Sequence, residues 1–464
     1  ATLTIDPGTI VRMSSQAKII VCSTCSIFSN GTADQPVKIT GVSGPGVSES
    51  YVYWGGVVIE DDNDTRGEIT LDDLNNDGVE ELVAEYGDNS ETLSSTDEMP
   101  NSIAFQRAKF FFTEFEYVRG VGLGGYMYEG TALYQNCIFS YNLTNSYGGI
   151  FFGGSYGSIF IDKSLITRSG FYGLTALACF DRAFNCGVIY RNTNWIYNTH
   201  ALSFTNYNPG YEPLHIDFSY LDENYNSPLY HGQIETIVTN NFTIPGNPGT
   251  YPSLFLQMYG GTGEETGVYP FPNQFWFGTT SEQVLRTMFY DYSNPRPDNL
   301  SVGLIDYSTA NYIPYEDNHA VVWKVEVNGY DAQDEYELLD PLGVGTHEFK
   351  VYFNREMDTS VDPQVSFGVV QPYNQNILND GSWSEDGKIY TVTHEINIGA
   401  ADGINRIRVQ DAQDLDYFKI PIEDKRFNFL LQSAGSASTG FFAAGGLGKI
   451  DLEWVAPSAD ELDD

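Results

Sequence analysis

One ten-residue stretch, DLNNDGVEEL (73–82), has the residue types and spacing of a calcium-binding loop. Acidic and amide side chains alternate along it and are followed by Gly78, which permits a tight turn because it lacks a side chain. Ca²⁺ takes about six to eight oxygen ligands, and alternating side chains around a turn can direct theirs toward one point. The predicted ligands are Asp73, Asn75, Asp77, the Val79 backbone carbonyl and Glu81.

The same loop resembles several calcium-binding families, and it departs from two of them. EF-hand and dockerin loops require an acid at the twelfth position, where this sequence has Ala84. The FG-GAP-like pattern uses an acid at the ninth position, and Glu81 stands there. Asp62, Asp64 and Asp72 add neighbouring acids. We expect the calcium ion to stabilise a loop; a polar turn without a metal is the alternative.

Asp162, Lys163 and Arg168 are the candidates for catalysis. Lyases that act on polysaccharides abstract a proton with Lys or Arg, and glycoside hydrolases use two carboxyl groups. The three residues are close in sequence, but no second set of carboxylates is recognisable near them. Surface salt bridges therefore explain them better, and the sequence assigns no catalytic residue.

Tyrosines in Gly-rich and Asn-rich turns form a second group of candidates. Aromatic rings stack on the CH faces of sugars, and neighbouring amides and carboxylates can pair with sugar hydroxyls. These turns predict a glycan-binding groove; the alternative is that the rings stack inside the fold or cap it. The candidate residues are Tyr126, Tyr156, Tyr172 and Tyr211.

A repeat positions these residues. Its copies start at residues 112, 136, 163, 192 and 218, so consecutive starts differ by 24, 27, 29 and 26 residues. Each copy is a short alternating strand pattern, and Gly-rich turns lie between copies. A repeat of this length without helical periodicity fits one coil of a parallel β-solenoid. The copies are FTEFEYV (112–118), NCIFSYN (136–142), KSLITRS (163–169), NTNWIYN (192–198) and FSYLDEN (218–224).

Both ends of this region resemble right-handed parallel β-helix surface proteins of bacteria or archaea. LTIDPGTIV, SIFSNGTADQPVKITG and YWGGVVIED resemble their opening coils. PNQFWFGTTSEQVLRTMFYDY and VGLIDYSTANYIPY resemble their closing segment, in which a short helix, here about 281–290, covers the last coil. The resemblance implies a right-handed parallel β-helix over residues 1–316, with a cap near 273–316.

From residue 317 to 434 the pattern changes to six alternating strands, which predict a β-sandwich. Phe349, Val351 and Phe353 are predicted to share one face, and Ile404 and Val409 to point inward. FKVYFNREMDTS resembles the Ig-like modules of bacterial surface proteins.

The segment 435–464 is predicted to be a linker and the start of another module. GKIDLEWVAPSADELDD resembles the first strands of a fibronectin type III domain, with Trp454 in the core position. Because only those first strands are present, we expect the natural chain to continue. The whole chain is therefore predicted to be all-β.

Composition narrows the possible partners and the location. The 464 residues include 23 Lys and Arg against 62 Asp and Glu, a net charge of −39, which opposes binding to nucleic acid and to anionic lipid. No apolar stretch is long enough to span a membrane. The start, ATLTIDPGTI, is typical of a processed secreted protein or a trimmed fragment. We therefore expect an extracellular or cell-surface location.

The five cysteines are odd in number, and Cys22 and Cys25 form a C-x-x-C motif without a second metal-ligand pair. We expect buried thiols, with a disulfide as the alternative. The other three are Cys137, Cys179 and Cys186.

Three functions are compatible with the sequence. The first is a modular surface protein acting in adhesion, surface structure or glycan binding, with polysaccharide, other surface proteins or itself as partner. The second is a polysaccharide lyase or glycoside hydrolase of the β-helix type, for which the fold alone would argue. The third is a self-assembling filament or surface-layer subunit.

The calcium loop predicts that a chelator destabilises the protein. A ligand that binds only the folded state stabilises it by about 2.7 kcal/mol at a hundredfold excess over Kd. EDTA should therefore lower the melting temperature, and Asp77→Ala should abolish that sensitivity. Identical calorimetric melting curves with calcium and with EDTA would contradict the prediction.

Overall fold

In a computed structural model the described residues are mostly β-strand, and the one helix among them is a 3-10 helix, Ile103–Phe105. It forms two compact units, Ala1–His319 and Ala320–Asp464. In the part of the chain that the structure describes, no helix is long and apolar enough to cross a membrane. The structure describes residues 1–15, 17–42, 53–59, 67–72, 81–86, 88–93, 101–118, 132–141, 151–152, 157–167, 176–177, 186–196, 203–204, 240–243, 256–257, 268–270, 275–276, 289–290, 304–306, 313–333, 341–433, 442–446 and 449–453.

The strands of the first unit are short, and most of them pair in parallel. They are β1 (Thr2–Ile5), β2 (Ile10–Met13), β3 (Ile19–Val21), β4 (Ser26–Asn30), β5 (Val37–Gly41), β6 (Val57–Ile59), β7 (Gly67–Asp72), β8 (Glu81–Tyr86), β9 (Asn89–Leu93), β10 (Ala108–Phe111), β11 (Thr113–Glu116), β12 (Ala132–Gln135), β13 (Ile138–Ser140), β14 (Phe151–Phe152), β15 (Gly157–Asp162), β16 (Leu165–Thr167), β17 (Ala176–Leu177), β18 (Cys186–Arg191), β19 (Thr193–Ile196), β20 (Ser203–Phe204), β21 (Asn240–Thr243), β22 (Leu256–Gln257), β23 (Val268–Pro270), β24 (Phe275–Trp276), β25 (Phe289–Tyr290) and β26 (Leu304–Asp306).

Two long parallel sheets organise this unit. Sheet A has the order β1-β4-β10-β12-β15-β18, and sheet B has the order β2-β5-β11-β13-β16-β19-β21-β24. A third sheet has the order β14-β17-β20. From β12 to β20 the chain visits sheet A, sheet B and the third sheet in turn, three times over. We call each such pass, and the equivalent earlier passes, a rung.

Four smaller sheets complete the described part of the first unit. The pairs β3-β6, β22-β25 and β23-β26 are parallel, whereas β7-β8-β9 is antiparallel. β3 and β6 each follow a strand of sheet B along the chain, as the strands of the third sheet do.

The register of sheet B follows the sequence repeat. Glu114 pairs with Ile138, Ile138 with Leu165, and Leu165 with Asn194. The differences between these residue numbers are 24, 27 and 29, which match the intervals between the first four repeats. The fifth repeat does not extend the ladder, because β19 pairs with Asn240–Thr243. Residues 218–224 lie outside the described residues.

Aromatic rings fill the space between the sheets. The Phe110 and Tyr134 rings stack at 4.8 Å, and the Phe115 and Phe139 rings stack at 5.2 Å. The two pairs meet edge to face, with Phe110 5.4 Å from Phe115 and Tyr134 5.6 Å from Phe139. All four side chains are fully buried. Parallel pairing in register therefore places like residues above one another, and their stacking stabilises that register.

At the start of the chain the sequence pattern is confirmed locally. A strand, a turn at Gly8 with a φ of 74°, and a second strand follow one another.

The expectation of buried thiols at Cys22 and Cys25 was wrong, because they form a disulfide. Their turn is closed by the Cys25 amide donating to the Cys22 carbonyl at 2.8 Å, which brings the two Cα atoms within 4.9 Å, a separation suited to a disulfide.

The prediction of a helix at about 281–290 is wrong for its last two residues. Phe289–Tyr290 is a strand, and it pairs in parallel with Leu256–Gln257. Pairing with another strand satisfies backbone groups that a helix would have satisfied internally. The remainder of that prediction, residues 281–288, lies outside the described residues.

The second unit is antiparallel. Its strands are β27 (Val322–Val327), β28 (Tyr330–Asp331), β29 (Gly345–Phe353), β30 (Gln364–Gly368), β31 (Asn376–Leu378), β32 (Ser382–Trp383), β33 (Ile389–Ile396), β34 (Gly403–Gln410), β35 (Asn428–Leu431), β36 (Phe442–Gly446) and β37 (Lys449–Glu453). Sheet C has the order β28-β27-β29-β33-β32, sheet D has the order β31-β30-β34-β35, and β36 pairs with β37.

Sheets C and D share one apolar core. The prediction that Phe349, Val351 and Phe353 share a face is confirmed, since all three are buried there. Phe349 of sheet C stacks at 5.8 Å on Phe367 of sheet D, and Phe429 packs edge-on against both rings. The two sheets therefore bury their facing sides against each other.

One inward prediction on β34 is wrong. Val409 is buried as expected, but Ile404 is 65% exposed. Side chains alternate along a strand, and residues 404 and 409 have opposite parity, so they cannot share a face of a regular strand. Asn405 and Ile407 take the inward positions with Val409. Trp454 lies outside the described residues.

Replacing Gly31 with alanine tests how closely neighbouring rungs approach. A Cβ atom at Gly31 would lie 2.3 Å from the Phe112 carbonyl oxygen and 2.7 Å from that of Phe111. Because both obstacles are backbone atoms, Gly31→Ala should lower the free energy of unfolding by about 2–3 kcal/mol. The control is Gly343→Ala, where a Cβ would meet nothing within 4 Å. Equal calorimetric melting temperatures for the two variants would contradict this packing.

Candidate functional site

The structure describes few of the residues that the sequence singles out. Asp73, Asn75, Asp77 and Val79 lie outside the described residues, as do Arg168, Tyr126, Tyr156, Tyr172 and Tyr211. Glu81 is the first residue of β8, and its backbone pairs with Asp72 of β7. Asp162 and Lys163 are both described, and they lie where the chain passes from sheet A to sheet B.

That passage, which we call the corner, is a left-handed backbone turn. In the corners that follow β10, β12, β15 and β18, one residue has a positive φ, a conformation that costs a non-glycine residue about 1–2 kcal/mol. The corner residues are Phe112 (40°), Asn136 (55°), Lys163 (42°) and Asn192 (49°). They are also the first residues of the first four sequence repeats. The period in the sequence is therefore the period of a backbone turn.

A small polar side chain follows each of these four corner residues. The four side chains are Thr113, Cys137, Ser164 and Thr193, and all are fully buried. The Thr113 hydroxyl donates to the Phe111 carbonyl at 2.9 Å, and the Ser164 hydroxyl donates to the Asp162 carbonyl at 2.8 Å. Hydrogen bonds to a carbonyl two residues earlier hold the backbone of the corner.

The same side chains also join neighbouring rungs. Ser164 Oγ accepts a 3.1 Å hydrogen bond from the Cys137 amide, and the Ser29 and Thr113 hydroxyls lie 2.7 Å apart. The Thr193 hydroxyl donates to the Ile161 carbonyl at 3.4 Å. These small polar residues were not predicted to have a role, although they form a pattern in the sequence. The second residues of the first four repeats are, in order, Thr, Cys, Ser and Thr.

Asp162 is a fully buried part of this corner. Its Oδ2 accepts a 2.9 Å hydrogen bond from Gln135 Nε2 on the preceding rung. Its backbone carbonyl accepts from the Asn136 amide at 3.1 Å and from the Ser164 hydroxyl. The carboxylate thus links two rungs, and its burial restricts the access that a catalytic acid or base needs.

Lys163 follows directly and is half-buried. Its backbone, with a φ of 42°, supplies the left-handed turn of its rung. Asp162 and Lys163 therefore both have structural roles in the corner. These roles do not require contact with a substrate. The surface salt bridge predicted for Asp162, Lys163 and Arg168 stays a prediction, because Arg168 lies outside the described residues.

Cys137 is a free and buried cysteine. Burial raises the pKa of its thiol to about 12, although hydrogen bonds with the backbone act in the opposite direction. A thiol with so high a pKa is a poor nucleophile. The prediction of a buried structural thiol is confirmed for Cys137.

A second polar group lies on the outer side of sheet B, on the rungs of β5 and β11. Lys38 Nζ lies 2.7 Å from Glu116 Oε1 and 3.3 Å from Glu114 Oε2. The Thr40 hydroxyl donates to Glu116 Oε2 at 3.0 Å, and the Trp54 indole donates to the Glu116 carbonyl at 2.8 Å. Both oxygens of the Glu116 carboxylate are therefore oriented by a partner.

Tyrosine rings border this polar group. The Tyr117 and Tyr141 rings stack at 5.5 Å with an interplanar angle of 17°, and Tyr53 packs edge-on against Tyr117 at 5.9 Å. Tyr117 and Tyr141 both have a positive φ at the end of their strand, and Tyr141 is 38% exposed. We call Tyr53, Tyr117 and Tyr141 the tyrosine stack.

The tyrosine stack also follows the repeat. Tyr117 and Tyr141 are the sixth residues of the first two repeats, and the sixth residues of the next two are Arg168 and Tyr197, which lie outside the described residues. The tyrosines predicted from the sequence lie in the Gly-rich turns between repeats, whereas Tyr117 and Tyr141 lie within the repeats themselves.

Electrostatics of the polar group follow from its ion pairs. Burial alone would lower the pKa of Lys38, but hydrogen bonding to Glu116 and the charge of Glu114 outweigh it, so the pKa is raised. Burial raises the pKa of Tyr117, and the charge of Glu116 adds to the effect. Lys38 therefore carries a positive charge and Tyr117 a protonated hydroxyl at neutral pH.

A third polar group covers sheet B further along. Asn194 Nδ2 donates to the His319 carbonyl at 2.9 Å, and Asn318 Nδ2 donates to Asn194 Oδ1 at 3.0 Å. His319 Nε2 lies 2.9 Å from Asn136 Oδ1. Asn194, Asn318 and His319 are buried. Because these side chains bind one another and the backbone, the group fastens the end of the first unit onto sheet B.

Comparison with known proteins gives no matching family model, no matching curated protein and no matching solved structure.

Substitutions of Lys163 and Ser164 test two features of the corner separately. These are the left-handed backbone conformation and the hydrogen bonds of the hydroxyl group. Lys163→Asn introduces the residue that the Asn136 and Asn192 corners carry, and Asn tolerates a positive φ better than Lys, so stability should rise by up to about 1 kcal/mol. Ser164→Ala should lower stability by about 1–3 kcal/mol, because the Cys137 amide loses the partner that Ser164 supplies and the Asp162 carbonyl loses one of its two hydrogen bonds.

Lys109→Asn is the matched control, since Lys109 lies within strand β10, where Asn is disfavoured. Denaturant unfolding measures all three variants. A Lys163→Asn protein that is less stable than wild type, or a Ser164→Ala protein that is equally stable, would contradict the role given to the corner.

Proposed function

We propose that this chain is an extracellular or cell-surface modular protein that acts in adhesion or surface structure by binding glycans. In this proposal residues 1–316 form a right-handed parallel β-helix, residues 317–434 form an Ig-like β-sandwich, and residues 435–464 begin a fibronectin type III-like module. Calcium at the loop from Asp73 to Glu81 stabilises the first of these.

The proposal of a β-helix is supported by three properties of the described strands. Successive rungs pair in parallel and in register. The chain passes from sheet A to sheet B, and then to a third sheet, in the same order on consecutive rungs. Like side chains stack from rung to rung, as the rings of Phe110 and Tyr134 do. Each of these properties is expected when successive coils of a solenoid stack on one another.

The Ig-like proposal is supported by the two antiparallel sheets of the second unit and their common core. Modules of that kind hold other domains away from a surface. The disulfide between Cys22 and Cys25 supports an oxidising, extracellular location, because disulfides are rare in reducing compartments.

The tyrosine stack is the single observation that carries the proposal of glycan binding. A sugar ring can stack on an aromatic face, and sugar hydroxyls can pair with polar groups beside it. Tyr117 and Tyr141 follow neighbouring strands of sheet B, and the charge of Glu116 acts on the Tyr117 hydroxyl. By contrast Asp162 and Lys163, the catalytic candidates, take part in the corner, which favours binding over cleavage.

A panel of immobilised polysaccharides, uncharged and acidic, tests this function. The protein, kept in calcium, should be retained by at least one member and should release neither new reducing ends nor unsaturated uronides. Released products that disappear with Lys163→Ala would favour the enzyme. Failure to bind any member would contradict glycan binding, and light scattering on the same samples would then show whether the chain associates with itself instead.

A further inference from the structure

We propose that the first rung, formed by β1, β2 and β3, is an interface at which a second copy of this chain binds, so that the protein forms a twofold dimer. We call the side of these strands that faces away from the second rung the open end. This inference goes beyond glycan binding and does not depend on it.

Backbone hydrogen-bonding groups line the open end. In the described part of the chain β1 and β2 are the terminal strands of sheets A and B, and β3 pairs with β6. The Ala1 carbonyl accepts a 2.8 Å hydrogen bond from the Ser26 amide of the second rung. Because backbone groups alternate in direction along a strand, those of Thr2 and Thr4 face the open end. Strand edges of this kind are templates for pairing with another chain.

Inward-facing apolar side chains are also exposed at this end. Leu3 pairs in register with Ile27, yet Leu3 is 52% exposed and Ile27 is 1% exposed. Val11 is partly exposed, whereas its partner Ile39 is fully buried. Ile27 lies between two paired strands, β1 and β10, whereas Leu3 has a described neighbour on one side. Strands added at the open end would bury these side chains, which is favourable.

The arrangement of the three edges favours another end of the same kind as the partner. β1, β2 and β3 belong to three different sheets, so a single added strand could pair with only one of them. The first rung of a second copy offers three edges in the same arrangement. A twofold axis across the stacking direction brings the two ends face to face, and their strands then run antiparallel.

The distribution of charge favours self-association at this end. The chain has a net charge of −39, so two copies repel each other over most of their surface. Residues 1–21 contain two basic side chains, Arg12 and Lys18, against one acidic side chain, Asp6. Because Arg12 and Lys18 are exposed, water and dissolved ions screen their repulsion across the interface. Two copies can therefore approach here without the repulsion between acidic surfaces.

β1 is the strand that lies against its own copy in this dimer. It has four residues and no charged side chain, whereas β2 contains Arg12 and β3 has three residues. Opposite residues of an antiparallel pair share a face, so the inward Leu3 lies opposite Leu3 of the second copy. The backbone groups of Thr2 and Thr4 then bind those of Thr4 and Thr2 of the second copy. The two Leu3 residues form the pair between them, with Cα atoms about 4.5 Å apart.

Analytical ultracentrifugation of the whole chain measures the dimer. Wild-type protein should dimerise as its concentration rises. Leu3→Glu should raise the Kd of the dimer by at least about tenfold, because two carboxylates would then face each other. The matched control is Ile404→Glu, which makes the same change at a 65% exposed position in the second unit. It should dimerise as wild type does.

Cross-linking tests the register of the interface. Leu3→Cys should form a disulfide-linked dimer on mild oxidation, because the expected Cα separation suits a disulfide. Thr4→Cys lies opposite Thr2 of the second copy and should stay unlinked under the same conditions. Non-reducing electrophoresis distinguishes the products. Thermal melts show whether each variant is folded, and if Leu3→Glu is not, the two cysteine variants decide.

Four results would overturn the interface. They are a wild-type chain that stays monomeric, a folded Leu3→Glu protein that dimerises as tightly as wild type, and an Ile404→Glu protein that loses the dimer equally. The fourth is a cross-link that is no more extensive in Leu3→Cys than in Thr4→Cys.

Discussion

The first unit depends on the hydrogen bonds that buried hydroxyl groups make at the corners between sheet A and sheet B. The corners after β10, β12, β15 and β18 each have one residue in the left-handed region, an unfavourable conformation for Phe112 or Lys163. The hydroxyls of Thr113 and Ser164 compensate by binding the carbonyl that precedes the corner residue. A parallel sheet slipped by one residue would turn every inward side chain outward, so fixing the corner fixes the register.

The register in turn determines what lies inside the unit and what lies outside it. Inside, it sets Phe115 on Phe139 and Phe110 on Tyr134. Outside, it sets Lys38 beside Glu114, and Tyr117 beside Tyr141. A surface that repeats with each rung suits a ligand that also repeats, and a polysaccharide is such a ligand. The proposed function and the core thus depend on the same alignment.

The sequence predicted the all-β class and the period of the first four repeats, because each repeat starts at a corner residue and the pattern reflects a backbone requirement. The prediction from sequence was wrong where it rested only on the resemblance of one segment to others. FSYLDEN resembles the other repeats, yet sheet B continues with Asn240–Thr243, because strand pairing is decided by contacts distant in sequence. The disulfide was predicted only as the alternative to buried thiols, because C-x-x-C fits a metal site, a redox site or a closed turn equally well. Tyr117 and Tyr141 were overlooked because exposure of a ring depends on the turn that presents it.

The most direct measurement of this account is a pair of engineered disulfides across β11 and β13. Glu114 and Ile138 are partners in register, so Glu114→Cys with Ile138→Cys should cross-link on mild oxidation. Glu114→Cys with Ser140→Cys is displaced by two residues and should stay reduced under the same conditions. Mass spectrometry after proteolysis distinguishes the products. A cross-link in the second pair and none in the first would contradict the register on which the corners, the core and the tyrosine stack depend.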